Sequence, residues 1–515
     1  MIKKYINILA VTAAVFVSSC QKSLLDKDPL DSTSAGTYWR SESDVQGGLT
    51  GVYSRLKANF LGYERIYLDG LADNAFLYDN TNQANFSALT TGTVTPMTGG
   101  ALSNMYNSPY ALIAQCNFFL DNVGKAPLTD EKLNPYRAEA RFLRALAYFD
   151  LVQTFGGVVV YTTSPKTLES SKIAKSTEAQ VYEVIINDLD FAIANLPDTR
   201  YAGRAVKGSA QGLKARVLLT LERFAEAAAI CKEIIDGGKF GLSNNYAALF
   251  KTSGQTNASV NTEIMFATQY LAVTSPQRTS PGAAGMDIEL GWWSLMQPYQ
   301  DLADAYQCTD GKPITTSPLY NAATPYNNRD PRMDMTLKLP TETWRNPNTN
   351  VAWTGFQTPS ATGYLMEKYV DLTRAPFSAT TAQNTDQDYI HLRFADILLM
   401  YAEALNEANG PSAAAYDALD RVRARATVNM PAVDRNAYNS KETLRNFIRN
   451  ERRVELALEG QRFNDLKRWK IAHIKLPTLK TPNGTPLIFK LDNYRYPFAQ
   501  TEIDNNPQLK QNDGY

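Results

Sequence analysis

Two glutamates, Glu451 and Glu455, stand four residues apart in SKETLRNFIRNERRVELALEGQRFNDLKRW (Ser440–Trp469), and paired carboxylates can do chemistry. On one helix their Cβ atoms lie roughly 6 Å apart, close to the ~5 Å between the two carboxyl groups of a retaining glycoside hydrolase. Their neighbours argue against that use. Leu444, Phe447, Ile448, Val454 and Leu458 recur at helical spacing and define an apolar face. Glu451 falls on that face and Glu455 beside it. Carboxylates in such a place need counter-charges, and Arg449, Arg452, Arg453 and Arg462 are near enough in sequence to supply them. The pair is read as holding the fold. Ser440 suits a helix N-cap and Glu442 the positive end of the helix dipole. Gly460 is the expected stop before a second helix carrying Phe463, Leu466 and Trp469.

Other reactive groups are sparse. The two histidines, His391 and His473, are far apart in sequence, which leaves little for a nucleophile relay or a histidine-rich metal site. Cys116 and Cys231 sit within helical patterns and read as small core residues, and with Cys308 they form an odd set without C-x-x-C spacing. Asp310-Gly311, Asp386 and Asp388 carry oxygen ligands, but without calcium-loop spacing they read as solvated loop, so no metal and no cofactor are expected. Lys+Arg and Asp+Glu are both 52. That balance gives no basic surplus for nucleic acid and fits a neutral or weakly charged ligand.

Aromatic residues are plentiful, with 28 Tyr, 21 Phe and 6 Trp. A flat ring covers the apolar C–H face of a sugar while amides, carboxylates or guanidinium groups bond its hydroxyls. Trp292 and Trp293, beside Gly291 and near Gln297 and Tyr299, form the best local constellation for this. Adjacent rings point apart, so at most one of the two tryptophans is expected to face solvent. Tyr78 and Phe86, with Asp79, Asn80 and Asn82 between them, are candidates for a facing wall. The binding set is therefore Trp292, Trp293, Tyr78, Phe86 and Asn80, and core burial is the competing reading for each ring.

The elements that must position these residues are mostly helices. Apolar stripes run through 44–59, 106–123, 135–155 and 182–196. In 207–238, Ala215, Leu218, Phe224, Ala227 and Cys231 match the spacing of a tetratricopeptide-type helix pair, with a weaker echo in 398–426. Residues 69–100 turn polar and irregular, as a functional loop does. Residues 239–387 are rich in Gly, Pro, Asn, Thr and Trp, with short strand-like pieces such as 263–270. The expected fold is mainly α: a tetratricopeptide-like helical-repeat superhelix with a large irregular loop-rich insertion carrying the site.

IRNERRVELALEGQRFNDLKRWK and the closing YPFAQTEIDNNPQLKQNDGY resemble the C-terminal part of the SusD/RagB family. YRAEARFLRALAYFDLVQTFGGV, GWWSLMQPYQDLADAYQCTDGKPI and YNNRDPRMDMTL resemble further segments of that family, so the likeness runs from Cys20 to Tyr515. It implies an outer-membrane lipoprotein that binds a nutrient and delivers it to a SusC-like TonB-dependent transporter. Glycan is the expected cargo. Peptide is the alternative, because the RagB branch is matched equally well, and a glycoside hydrolase is the reading from another class. The resemblance implies a site assembled from the two aromatic regions, although no binding motif carries over residue by residue. The expected parts are a signal peptide over 1–19, a lipidated tether over 20–43, helical repeats over 44–238, the insertion over 239–387 and a helical part over 388–515.

Residues 1–20 hold Lys3 and Lys4, an apolar run too short to span a bilayer, and Val17-Ser18-Ser19-Cys20, which resembles a lipobox. Cys20 is the expected lipid-bearing mature N-terminus, and several acyl chains at about 0.8 kcal/mol per buried CH₂ make a durable anchor. The polar segment that follows separates anchor from fold. Cys20→Ala is therefore expected to leave the protein folded but to release it from membranes. Fractionation decides it: a mutant still membrane-bound after a high-salt wash refutes the anchor.

Overall fold

A computed structural model describes residues 38–78, 86–271, 286, 290–291, 293–346, 349–352, 360–375 and 385–515. Cys20, Asn80, Trp292 and Trp353 lie outside them. The longer helices are α1 (Glu42–Ser54), α2 (Ala101–Val123), α3 (Asp130–Phe155), α4 (Glu178–Asn195), α5 (Lys207–Thr220), α6 (Phe224–Gly237), α7 (Phe394–Asn409), α8 (Ala413–Arg423), α9 (Lys441–Glu455) and α10 (Arg462–Arg468). Several start where a side chain satisfies a free backbone N–H. Ser41, Thr177, Ser412 and Ser440 accept from the N–H three residues on, each such cap contributing about 1 kcal/mol.

Successive helices pack as antiparallel-type neighbours, α2 on α3, α3 on α4, α4 on α5 and α5 on α6. The order then jumps the insertion, because α6 packs on α7, which also touches α8 and α9. One helical superhelix is thus built from both sides of the insertion, as the repeat spacing predicts. Ala215, Leu218, Ala227 and Cys231 are fully buried where the paired helices touch. Burial pushes the Cys116 and Cys231 thiols well up, which suits packing and not reactivity.

Strands are short and join distant stretches in pairs. β1 (Ala75–Leu77) pairs with β3 (Met296–Pro298), β2 (Ile264–Thr268) with β6 (Tyr389–Arg393), and β4 (Leu337–Lys338) with β5 (Leu365–Met366), all antiparallel. The β2–β6 ladder returns the end of the insertion to its beginning and delivers Arg393 to the middle of the molecule.

There the glutamates of α9 meet their partners. Glu451 receives Arg332 at 2.7 Å and Arg423 at 2.8 Å. Glu455 receives Arg393 at 2.7 Å and Arg332 and Arg425 at 2.8 Å. Glu263, Asp330 and Glu459 join through the same arginines and Lys368. Burial alone pushes the Glu455 carboxyl up, and Arg425, Arg393 and Arg332 outweigh it and hold it well below the usual carboxylate range.

The structural reading of the pair holds, but its expected partners are wrong. Arg449 lies over the Trp469 ring at 4.8 Å. Arg452 pairs with Asp396 and Asp465, Arg453 with Asp301 and Asp73, and Arg462 with Asp73. Arginines one to eleven residues away point to other neighbours, so sequence distance does not choose the pair. α9 also stops at Glu455, short of Gly460. The chain turns through Leu458 (φ +62°) and Gly460 (φ +74°), and a Cβ on Gly460 would lie 2.3 Å from the Arg65 carbonyl oxygen.

Residues 69–74 correct the expectation of an open loop. Asp69 to Leu71 end a 3-10 helix (Tyr63–Leu71) that is buried throughout, and 72–74 lead from it into β1. Asp69, Asp73 and Asn74 have no exposed surface, and Asp69 accepts from the Gly460 N–H and the Asn74 amide.

Removing one partner from a buried ion cluster leaves charge uncompensated and costs about 3–5 kcal/mol. Glu455→Gln is expected to lose stability on that order in urea denaturation, and a loss under about 1 kcal/mol would refute the central role of this carboxylate. Acid is expected to act in the same direction. Burial pushes the Glu403 carboxyl up, but Arg468 and Arg452 bring it down to about 2, while Asp396 is also depressed by Arg216 and Arg452. Carboxylates depressed in the folded state contribute stability above their unfolded pKa of about 4 and lose it as pH falls through the folded value. Melting temperature should drop steeply from pH 5 to pH 3.

Candidate functional site

The two aromatic regions singled out in the sequence are brought together by the β1–β3 ladder. Phe76 opposes Gln297 and Leu77 opposes Met296. The ladder runs on at both ends, where the Tyr78 N–H donates to the Leu295 carbonyl at 2.8 Å and the Tyr299 N–H to the Asn74 carbonyl at 3.0 Å. Tyr78 and Trp293 therefore sit at the same end of one two-stranded ribbon. Both are half-buried. Tyr78 stands edge-to-face against Phe76 with ring centroids 6.5 Å apart, and Trp293 packs one side on the core.

The turn beside Trp293 is fixed by strained backbone. Ser294 is buried with φ +56°, a left-handed conformation costing about 1 kcal/mol or more for a residue with a Cβ. Gln297 holds it: its amide donates to the Ser294 carbonyl at 3.1 Å, and its amide oxygen accepts from the Ala361 N–H at 2.7 Å. Gln297 is fully buried and its polar atoms face backbone, so it positions the turn and is closed off from a sugar hydroxyl. Tyr299 is also buried.

Phe86 does not belong to the platform. It is 1% exposed, with Phe60 at 6.0 Å and Tyr67 at 6.2 Å between centroids. A ring enclosed by two others has no free face for a sugar. Trp344 is likewise buried, with Lys338 Nζ 5.9 Å from its ring centre. Asn80 and Trp292 lie outside the described residues and are placed only by sequence next to Tyr78 and Trp293.

At the other end of the ribbon the sequence reading missed a polar aromatic row. The Tyr364 hydroxyl donates to Gln300 Oε1 at 2.7 Å and lies 3.1 Å from the Tyr326 hydroxyl, and the Gln300 amide donates to Asp304 at 2.7 Å. Gln300 is exposed and Tyr326 and Asp304 half-buried. Its only sequence signal was a tyrosine in each of two loops, which says nothing of their meeting. The acidic candidates for calcium are engaged locally. Asp310 accepts from the Lys312 N–H and the Ser317 hydroxyl, and Asp388 from the Tyr270 N–H. Among the described residues no three His, Cys, Asp or Glu side chains form a metal-sized group.

Residues 246–515 match the family model described as the SusD family, more than half of the chain. The chain belongs to the SusD family. Residues 24–219 match a second SusD-like model, described as starch-binding and associating with the outer membrane. SusD-like protein P25 of Formosa agariphila is 26% identical, with 98% of each chain covered. The starch-binding protein SusD of Bacteroides thetaiotaomicron is 33% identical over 161 residues, 30% of this chain and 28% of that protein. A SusD-like carbohydrate-binding protein from Bacteroides fragilis superposes with a TM-score of 0.78 at 26% identity, covering 92% of this chain and all of the other. The helical-repeat superhelix is thus the family's fold.

The placement of Phe86 has a direct test. Phe86→Ala should cost about 3–5 kcal/mol in a denaturant titration, as a core phenylalanine does. A variant as stable as the parent would return this ring to the surface.

Proposed function

We propose that this SusD family member is a non-catalytic glycan-binding protein of the cell surface, held at the outer membrane through Cys20. The cargo passes to a SusC-like TonB-dependent transporter. The observation that carries the reading is the β1–β3 ribbon, which sets Tyr78 and Trp293 at one edge on a turn locked by Gln297. Trp292 and Asn80 adjoin them in sequence and complete the proposed platform. A ring pair held by backbone loses little freedom when a sugar stacks on it, so more of the contact energy remains as affinity. The relatives whose names specify starch or carbohydrate binding support the choice of glycan over peptide.

Hydrolysis is not part of this proposal. Glu451 and Glu455 are 2% and 0% exposed at the side chain and are ringed by arginines, so neither reaches a glycosidic bond. A carboxylate whose proton affinity is depressed is also a poor general acid.

Trp293→Ala and Tyr78→Ala are expected to keep the parent melting temperature while glycan affinity falls. One stacked ring contributes on the order of 1 kcal/mol, hence roughly tenfold in Kd. Calorimetric titration against a glycan panel, with thermal melts alongside, decides it. If both variants bind as the parent does, or lose stability first, the platform lies elsewhere. Steady release of reducing ends from the panel by pure protein would overturn the non-catalytic reading, and tight binding of peptides with no glycan response would reverse the choice of cargo.

A further inference from the structure

A cleft of about 630 Å³ opens where the C-terminal tail crosses the end of α3, the start of α4 and the α5–α6 turn. That volume suits a small-molecule site and would take roughly two to three sugar rings. Every residue lining it is described, and none comes from the aromatic platform.

One wall carries Lys467 of α10. Lys467 is 8% exposed, yet its ammonium has a single acceptor, the Gln153 carbonyl in the last turn of α3. Its other close neighbours are the ring faces of Phe463 and Tyr496, at 5.4 and 5.5 Å. An ammonium has three protons to place, and a buried charge without a paired anion is costly. Lys368, also buried, shows the ordinary solution, with Glu459 and two carbonyls around it. Lys175 lies in the same cleft and forms no salt bridge among the described residues, with Asp513 of the tail acting on it only at longer range. It donates to the Asn512 side chain at 2.6 Å and stands 5.2 Å from the Phe498 ring centre.

The remaining basic groups of the cleft are paired. Arg468 is committed to Glu403 and Asp465, Lys470 to Glu222, and Arg495 to Glu178 on α4. Asp492 and Asp513 of the tail stand at the lining as well. Two unpaired ammonium groups beside those acids favour one negative group over a polyanion, which the acids would repel.

We propose that this cleft is a second binding site, for a single carboxylate or sulfate group borne on a small polar ligand such as an acidic sugar, with Lys467 and Lys175 as its counter-charges. The anion supplies acceptors for the idle protons of Lys467, while the tail carboxylates Asp492 and Asp513 offer partners for hydroxyls. Burial pushes the Lys467 ammonium down to about 7, with Glu178 drawing it up and Arg495 opposing. Binding to the charged form then requires a proton above pH 7, and affinity falls as pH rises.

The test is calorimetric titration of the full chain with a disaccharide bearing one uronic acid, a monosulfated disaccharide, maltotriose and sodium sulfate, at pH 6 and pH 8. Either acidic disaccharide should bind at pH 6 and about tenfold more weakly at pH 8, a factor that follows from a titration near 7. Lys467→Met should abolish both the binding and its pH dependence. Lys175→Met should weaken binding severalfold and keep the pH dependence. No response to any anion overturns the proposal, as does unchanged affinity in a folded Lys467→Met protein. Should that variant fail to fold, unchanged affinity in Lys175→Met overturns it instead. Sulfate binding as tightly as the sugars overturns the acidic-sugar assignment.

Discussion

Everything in this fold leans on a cluster of buried charge whose centre is the Glu455 carboxylate, where Arg332, Arg393 and Arg425 converge. A helix that sends carboxylates into a core creates a demand that its own sequence does not meet. The demand is met from far along the chain: Arg332 and Lys368 come from the insertion, Arg393 from the β2–β6 ladder, and Arg423 and Arg425 from α8 and just beyond it. Each arginine is itself useless in that place unless its carboxylate is there. Hydrophobic contacts tolerate sliding by a fraction of an ångström, whereas bidentate guanidinium–carboxylate contacts do not. The insertion is therefore fixed against the superhelix by geometry more than by strength, since apolar replacements of equal volume hold such interfaces as firmly.

That rigidity reaches the platform through two further clusters. Arg453 and Arg462 converge on Asp73, just before β1, and Arg453 also holds Asp301, just after β3. The end of the β1–β3 ribbon opposite Tyr78 and Trp293 is thereby tied to α9 and α10. A ribbon of three residues a side has too few hydrogen bonds to persist alone. It persists because one end is ion-paired to the frame, and because Gln297 closes the turn that carries Trp293 at the other.

Much of the frame was legible in the sequence. Periodic apolar stripes and Ser440 as a cap marked the helices, and small residues such as Ala215 and Ala227 marked where they touch. Glu451 and Glu455 announced a buried network because carboxylates on an apolar stripe have no cheaper explanation. Their partners were not legible. The nearest arginines in sequence go to Asp73, Asp396 and Asp465, because a helix turns each successive residue by about 100° toward a different neighbour. Residues 69–74 misled for a related reason. Asp69, Asp73 and Asn74 look like a solvent loop by composition, but their polar atoms are satisfied inside by Arg453, Arg462 and the Gly460 N–H.

The site was half legible, and the halves differ physically. Trp293 and Tyr78 were found as rings in poorly patterned segments, and a ladder of backbone hydrogen bonds, which no residue type encodes, brought them to the same end of one ribbon. Phe86 and Gln297 carried the same surface signal and serve the interior. A lone phenylalanine in a polar stretch is as compatible with anchoring that stretch to the core as with facing solvent, and Phe60 and Tyr67 settle it for Phe86. The left-handed Ser294 then explains the local design. A turn held in a costly conformation persists only when its surroundings over-determine it. Here the Gln297 amide, the Ala361 N–H and the ion-paired ribbon do so together. The strain sits next to the half-exposed Trp293, where a precisely aimed ring is of most use to a ligand and a relaxed turn would aim it elsewhere.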